Sequence, residues 1–367
     1  MGICLSKKSK RSTARIYNKR ISNQTSSSNR WSRIRSSSVQ SDDAVISEHA
    51  IAAAILFQQQ NGGLLPFNRS MSVRNQRQQA MSRNSSTTRR RSVKDPLLLP
   101  PQMIVQEVNH DELETSHIVL VHGGGFGAWC WFKIIALLQE CKFKVTAIDL
   151  SGSGIDRFDP NAIKSLSQYV KPLTDFLEML PDGEKVILAG HDIGGACISY
   201  AMELFPDKVA KAIFIAASML KTGKSTRDMF SHKDNMNDLM RQAQKFLYAN
   251  GNNQPPTAID LDKSLLNDLL FNQSCAKDVV LASISMRPIP FSPILDKLSL
   301  SDSNYGSIRR FYIETPEDNA IPITLQQIMI NESPPEKVFR LKGADHCPFF
   351  SKPQALHKLL VEIAKIK

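Results

Sequence analysis

Gly190-His191-Asp192-Ile193-Gly194 fits the pattern G-x-S-x-G everywhere but the middle, where Asp192 stands in place of serine. In that pattern the central residue sits on a sharp strand-to-helix turn, which presents its side chain at the end of a sheet. A serine there becomes a nucleophile once a histidine takes its proton. An aspartate is ionised near neutral pH and needs no base, but it is a weaker nucleophile toward carbonyl carbon. Attack on an ester carbonyl would give a tetrahedral adduct that expels the attacking carboxylate far more readily than methoxide, so reaching the mixed anhydride is uphill. A carboxylate is better suited to displacement at alkyl carbon, after which a histidine activates the water that cleaves the alkyl ester.

Three more stretches carry residues of the same chemistry. In "VHGGGFGAWCW" (121–131) the glycines follow a strand-like run, where a backbone N–H can stabilise an oxyanion. Gly124 and Ile193, the latter directly after the elbow residue, are the expected donors. "YIETPEDNAIP" (312–322) places Asp318 just past a strand, with Glu317 as its rival, and "LKGADHCPFF" (341–350) places His346 past the last strand. The chain order nucleophile, acid, histidine is that of a triad in which Asp318 fixes the tautomer of His346 and stabilises its cation. His191 is expected to pack or hydrogen-bond locally, and His122 to order the glycine loop. "GGGFG" (123–127) is not G-x-G-x-x-G and no ribose-binding acid accompanies it, so no dinucleotide is expected.

Such residues need a sheet to hold them. "HIVLVHG" (117–123), "KVTAIDL" (144–150), "KVILAGHD" (185–192), "KAIFIAAS" (211–218), "RRFYIE" (309–314) and "KVFRLKG" (337–343) read as strands. Their nearly continuous apolar character predicts burial on both faces, as in a parallel sheet. Helical patterns at 131–142, 166–180 and 194–206 alternate with them. The expectation is a doubly wound, mostly parallel α/β sheet. Residues 219–305 break the rhythm and are expected to form an inserted, mostly helical cap.

Residues 1–100 hold 18 Lys/Arg against 4 Asp/Glu, while the remaining 267 hold 28 against 31. The net +11 therefore belongs to the tail, and a body without basic excess argues against a nucleic-acid partner. The first 40 residues contain ten Lys/Arg, eleven serines and no acid. Such a segment is expected to be disordered, and its composition is that of an organelle transit peptide. "MGICLSKK" also matches M-G-x-x-x-[ST], with Gly2 as myristoyl acceptor and Cys4 as a palmitoylation candidate. Two acyl chains beside Lys7, Lys8, Lys10 and Arg11 would hold the chain on an anionic membrane surface. "EHAIAAAILFQQQ" (48–60) is long enough for about three helical turns, and Ser72 and Ser92 follow arginines as kinase sites often do. "DPLLLPPQ" (95–102) reads as the entry to a folded domain spanning 103–367. The six cysteines show no CxxC pair or metal-ligand spacing, so buried free thiols are expected, with neither metal nor cofactor.

Taken in order, "VHGGGFGAWCW", "KVILAGHDIGGACISYAMELFP", "FNQSCAKDVVLASISMRPIPF", "YIETPEDNAIP" and "LKGADHCPFFSKPQALHKLLVEIA" resemble the plant methylesterases, relatives of the hydroxynitrile lyases in the α/β-hydrolase superfamily. The resemblance covers roughly residues 115–367. The Ser/Arg-rich tail resembles the chloroplastic subgroup. The resemblance implies an α/β-hydrolase fold and hydrolysis of small methyl esters of the methyl jasmonate, methyl salicylate and methyl indole-3-acetate kind. It carries the triad onto Asp192, Asp318 and His346 and the oxyanion donors onto Gly124 and Ile193, and it implies a chloroplast address. The alternative address is the inner face of the plasma membrane through acylated Gly2 and Cys4. Family members with proven chemistry have serine at the elbow. Hydroxynitrile lyases have lysine after the histidine, where this chain has Cys347. Two other readings remain open: an Asp-nucleophile hydrolase of epoxides or alkyl electrophiles, and a non-catalytic small-molecule binder. For the former, a dehalogenase would place Trp where Ile193 stands, and cap tyrosines are limited to Tyr248 and Tyr305.

Overall fold

The computed structural model describes residues 108–230 and 238–367. The tail signals at Gly2, Cys4, 48–60, Ser72, Ser92 and 95–102 lie outside the described residues. Six strands build the main sheet: β1 (His117–Val121), β2 (Lys144–Ile148), β3 (Val186–Asp192), β4 (Val209–Ala217), β8 (Arg309–Glu314) and β9 (Lys337–Arg340). All pairs are parallel, in the order β2-β1-β3-β4-β8-β9. Strands with apolar side chains on both faces need cover on both faces. Helices α1 (Phe132–Glu140) and α6 (Pro353–Lys365) cover one face, packing Ile134, Leu138, Leu356 and Leu360 with Ile118, Leu120 and Ile213. Helices α2 (Lys171–Glu178), α3 (Gly194–Leu204) and α5 (Ile323–Glu332) cover the other, with Val119, Leu188 and Phe214. The expected α/β sheet is present.

The chain runs from β1 outward to β2 and then returns across β1 to β3. This reversal falls at the C-terminal ends of β1 and β3, the place where open α/β sheets hold their ligands. The glycine loop follows β1 and the Asp192 turn ends β3, so both lie at that point.

Two local expectations need correction. The helix predicted over 166–180 breaks at Val170 into Leu166–Tyr169 and α2, because Pro172 cannot continue the amide ladder. The freed carbonyls of Gln168 and Tyr169 accept hydrogen bonds from the hydroxyl and amide of Ser151. The insertion between β4 and β8 is not mostly helical. Besides α4 (Ala276–Ser285) and shorter helices, it holds an antiparallel sheet of β5 (Gln244–Leu247), β6 (Ala258–Leu261) and β7 (Ile289–Pro290). "ANGNNQPP" (249–256) is the turn chemistry between β5 and β6 and gives a hairpin its reversal.

The cysteines divide. Cys130, Cys197 and Cys347 are buried thiols as expected, but Cys141 is half-buried and Cys275 is exposed. Each of those two flanks a helix end, Cys141 after α1 and Cys275 before α4, where the chain turns outward. The Cys275 thiol donates to Asp278 Oδ2 at 3.0 Å.

Helix α3 starts so close to β1 that a Cβ on Gly194 would sit 2.6 Å from the His122 carbonyl oxygen and 2.8 Å from that of Val121. An exposed helical glycine gains up to about 1 kcal/mol on replacement by alanine. Here the neighbours are backbone and cannot swing aside, so Gly194→Ala is expected to destabilise by about 1–3 kcal/mol. Urea unfolding of the two proteins checks both sign and size.

Candidate active site

Asp192 closes β3 with φ +50, the left-handed region that a non-glycine residue enters only when its surroundings hold it there. What holds it is visible on both sides. The register between β3 and β4 slips by one residue, with Ala216 bulged out at φ +44, and Ser218 N–H donates to the Asp192 carbonyl at 2.9 Å. A Cβ on Gly123 would lie 2.7 Å from Asp192 Cβ and from His191 Nδ1, so only glycine lets the loop after β1 approach. The half-buried Asp192 carboxylate then meets that loop directly, and Gly124 N–H donates to its Oδ2 at 2.8 Å. The Ile193 amide also favours the ionised form. Thus the two amides expected to hold an oxyanion act on Asp192's own carboxylate.

His346 and Asp318 lie opposite, both buried. His346 Nδ1 meets Asp318 Oδ2 at 2.9 Å. The Ala320 and Ile321 amides each donate to Asp318 Oδ1 at 2.8 Å, and the Thr315 hydroxyl donates to Oδ2 at 3.2 Å. With its other sites occupied by donors, Asp318 accepts the His346 Nδ1 proton and leaves Nε2 as the basic nitrogen. Glu317, the sequence rival, makes no such bond; its amide donates to Ala344 O and its Oε2 is buried without a partner.

Electrostatics couple the three residues. Burial opposes a charged imidazole at His346, but Asp318, Asp192 and Asp345 outweigh it and raise its pKa to about 9. Burial pushes the Asp192 carboxyl upward, against the pull of cationic His346 and of the Gly124 and Ile193 amides. The acids around His346 thus favour its cationic form.

The other two histidines behave as supports. Leu150 N–H donates to His122 Nε2 at 3.0 Å, so the His122 proton sits on Nδ1 and is donated to Gly123 O at 2.8 Å. That bond ties the glycine loop to the end of β2. His191 Nε2 lies 2.7 Å from His346 O, the rings 4.6 Å apart, and burial together with nearby His346 pushes its pKa well down. A neutral His191 thus donates its Nε2 proton to the backbone of His346.

Several residues here lie in the stretch 271–291 that carries the resemblance, but nothing in their own spacing marks a role. Ile289 and Met286 press on the glycine loop, 3.0 Å from where Cβ atoms on Gly124 and Gly125 would be. Arg287 N–H donates to Gly125 O at 3.0 Å, and its guanidinium grips the carbonyls of Asp156 and, at 3.2 Å, Phe158. A turn glycine, a strand-end acid and a strand-end histidine have recognisable spacings. A residue that acts through partners on another element has none.

With this geometry the sequence profile of the alpha/beta hydrolase family matches residues 118–359, from β1 into α6. The chain belongs to the α/β hydrolase family. Within it, the chain is 66% identical over 351 residues to "Putative methylesterase 11, chloroplastic" of Arabidopsis thaliana, covering 92% of this chain and 90% of that one. Methylesterase 18 of the same plant is 37% identical over 258 residues, covering 69% of this chain and all but 2% of its own length, 98%. Among solved structures, polyneuridine aldehyde esterase matches with a TM-score of 0.63 at 32% identity, covering 68% of this chain and 99% of that one. A methylesterase from Arabidopsis matches with a TM-score of 0.61 at 34% identity, covering 67% and 98%. This α/β hydrolase therefore stands in the plant methylesterase branch, as the motifs implied. The 92% coverage exceeds the body alone, so the similarity to the chloroplastic relative runs into the tail.

Proposed function

We propose that this α/β hydrolase cleaves small carboxylic methyl esters at Asp192, Asp318 and His346, slowly and by direct attack of water. The observation that carries this reading is the Asp318–His346 pair set against the Gly124 and Ile193 amides. In its neutral form His346 takes a proton from water through Nε2 as the water oxygen bonds to the acyl carbon. Asp318 steadies the imidazolium, which then returns the proton to the departing methoxide, giving methanol and the free acid. The developing oxyanion needs the Gly124 and Ile193 amides, so the ester carbonyl must displace the Asp192 carboxylate from them. That competition makes the wild-type site slow. Esters of the methyl jasmonate, methyl salicylate and methyl indole-3-acetate type suit a site walled by Ile289 and Met286.

A second reading has its own support: a carboxylate already anchored by an oxyanion amide is placed to attack an alkyl carbon, with the amide stabilising the ester it becomes. Single-turnover incubation of a methyl-ester panel in heavy-oxygen water separates the readings. Label only in the product acid supports water attack, and label in Asp192 supports alkyl displacement. Saturable binding without turnover would overturn both and leave a binding protein.

We place the protein in the chloroplast, on the transit-like tail and its similarity to a chloroplastic relative. A fluorescent fusion of Gly2→Ala is expected to keep its plastid signal. Loss of a plasma-membrane signal in that variant would instead assign the address to acylation at Gly2 and Cys4.

A further inference from the structure

Asp345 is fully buried and takes no direct part in the chemistry above, yet it accepts four hydrogen bonds. Its two oxygens serve different parts of the molecule. Oδ2 accepts from Gln273 N–H at 2.9 Å and Ser274 Oγ at 2.8 Å, both in the insertion. Oδ1 accepts from Cys347 N–H at 3.0 Å, directly after His346, and from Ser351 Oγ at 2.7 Å, at the end of the short helix Pro348–Ser351 that follows. The same stretch of the insertion grips the neighbouring acid loop. Asn272 Nδ2 donates to Glu317 O at 2.9 Å, and Asn319 Nδ2 donates to Asp268 O at 2.7 Å. Residues 268–274 are therefore fastened on both sides of Asp318 and immediately before His346.

We propose that Asp345 is a positioning residue that locks the insertion to the His346 loop and so fixes the orientation of that imidazole. A carboxylate suits the task because all four partners are donors, two of them backbone amides that cannot turn away. A carboxamide there must point its NH2 at either Gln273 N–H or Cys347 N–H, so one side of the lock opens. The negative charge also acts on His346, together with Asp318 from the acid loop and Asp192 from the elbow, all three favouring the cation. His191, tilted against the same ring, is neutral, and so is Cys347, whose thiol burial holds protonated. This inference rests on His346 being the working base of the proposed reaction, but its test does not need turnover.

The full chain with isotope-labelled histidine is compared with Asp345→Asn and Ser274→Ala by NMR titration and site-resolved hydrogen exchange. In Asp345→Asn, exchange at Gln273 or Cys347 is expected to speed at least about 10-fold relative to the strands of the sheet, with the His346 midpoint falling below that of the wild type. Ser274→Ala keeps the carboxylate, so exchange over 271–275 should speed while the His346 midpoint stays near the wild-type value and its ring resonances shift. A uniform rise in exchange across the whole fold, or a His346 titration identical in all three proteins, overturns the proposal. If Asp345→Asn does not fold, Ser274→Ala and Ser351→Ala, each lacking one hydroxyl donor, decide it by the same exchange and ring-resonance readouts. An inactive protein that passes this test refutes the esterase reading alone.

Discussion

Asp192→Ser is expected to raise hydrolysis of small methyl esters at least about 10-fold, roughly 1.4 kcal/mol of barrier. Three effects of the substitution act in the same direction. First, the Gly124 amide that now donates to Asp192 Oδ2 at 2.8 Å is released, together with that of Ile193, for the ester oxyanion. Second, a negative charge beside the developing oxyanion is removed. Third, the hydroxyl gives His346 a neutral nucleophile to deprotonate; the tetrahedral adduct loses methoxide, protonated by His346 to methanol, and water then cleaves the acyl-enzyme to the free acid and serine. The fold needs no adjustment, because the φ +50 turn at 192 is imposed by the bulge at Ala216 and the approach of Gly123 rather than by the side chain. His346→Ala added to Asp192→Ser should erase the gain, since nucleophile and base act as a unit. Initial rates on a methyl-ester panel measure all three proteins. A wild type that already turns over briskly and dies on Asp192→Ser would make Asp192 a true nucleophile and defeat the account of the elbow.

What could be read in the residues, and what could not, follows from how far apart interacting groups lie in the chain. The six strands are runs of buried apolar residues, a local property, and each predicted run overlaps an observed strand. Asp318 and His346 were legible because strand ends project toward one edge of a parallel sheet. The hairpin of β5 and β6 has a local mark in the turn residues "GNNQPP", but strands of four residues on either side carry too short a pattern to stand out from their surroundings. The break at Val170 is local too, since Pro172 alone accounts for it. Asp345 was not legible at all: its meaning lies in donors at 273 and 274, more than 70 residues away, with |i−j| of 72 for the first. The contact of Asp192 with its own oxyanion donor is likewise invisible in a motif, since it depends on the left-handed turn and on where the loop after β1 comes to rest.

Activity that depends on His346 as a base is expected to climb steeply with pH, in the wild type from neutrality to above pH 9. With a pKa of about 9, only about 1% of the imidazole is neutral at pH 7, so the rate should rise up to about 100-fold before it levels. Asp192 is one of the carboxylates that hold the proton there, which means Asp192→Ser should lower the His346 pKa and slide the rising limb to lower pH. Part of the gain predicted for that variant at pH 7 is therefore a gain in the fraction of working base. Stability should move the opposite way to activity. A histidine whose folded pKa lies above its unfolded value of about 6.5 contributes stability that is complete below pH 6.5 and drains away as pH rises through about 9. Urea midpoints from pH 6 to pH 10 should fall for the wild type over that window, and fall less for Asp192→Ser. Rate profiles and the His346 NMR titration can be taken on the same two proteins. A His346 that titrates near 6.5 in the wild type, or limbs that coincide in the two proteins, would remove the carboxylate at 192 from any part in setting the charge of the base.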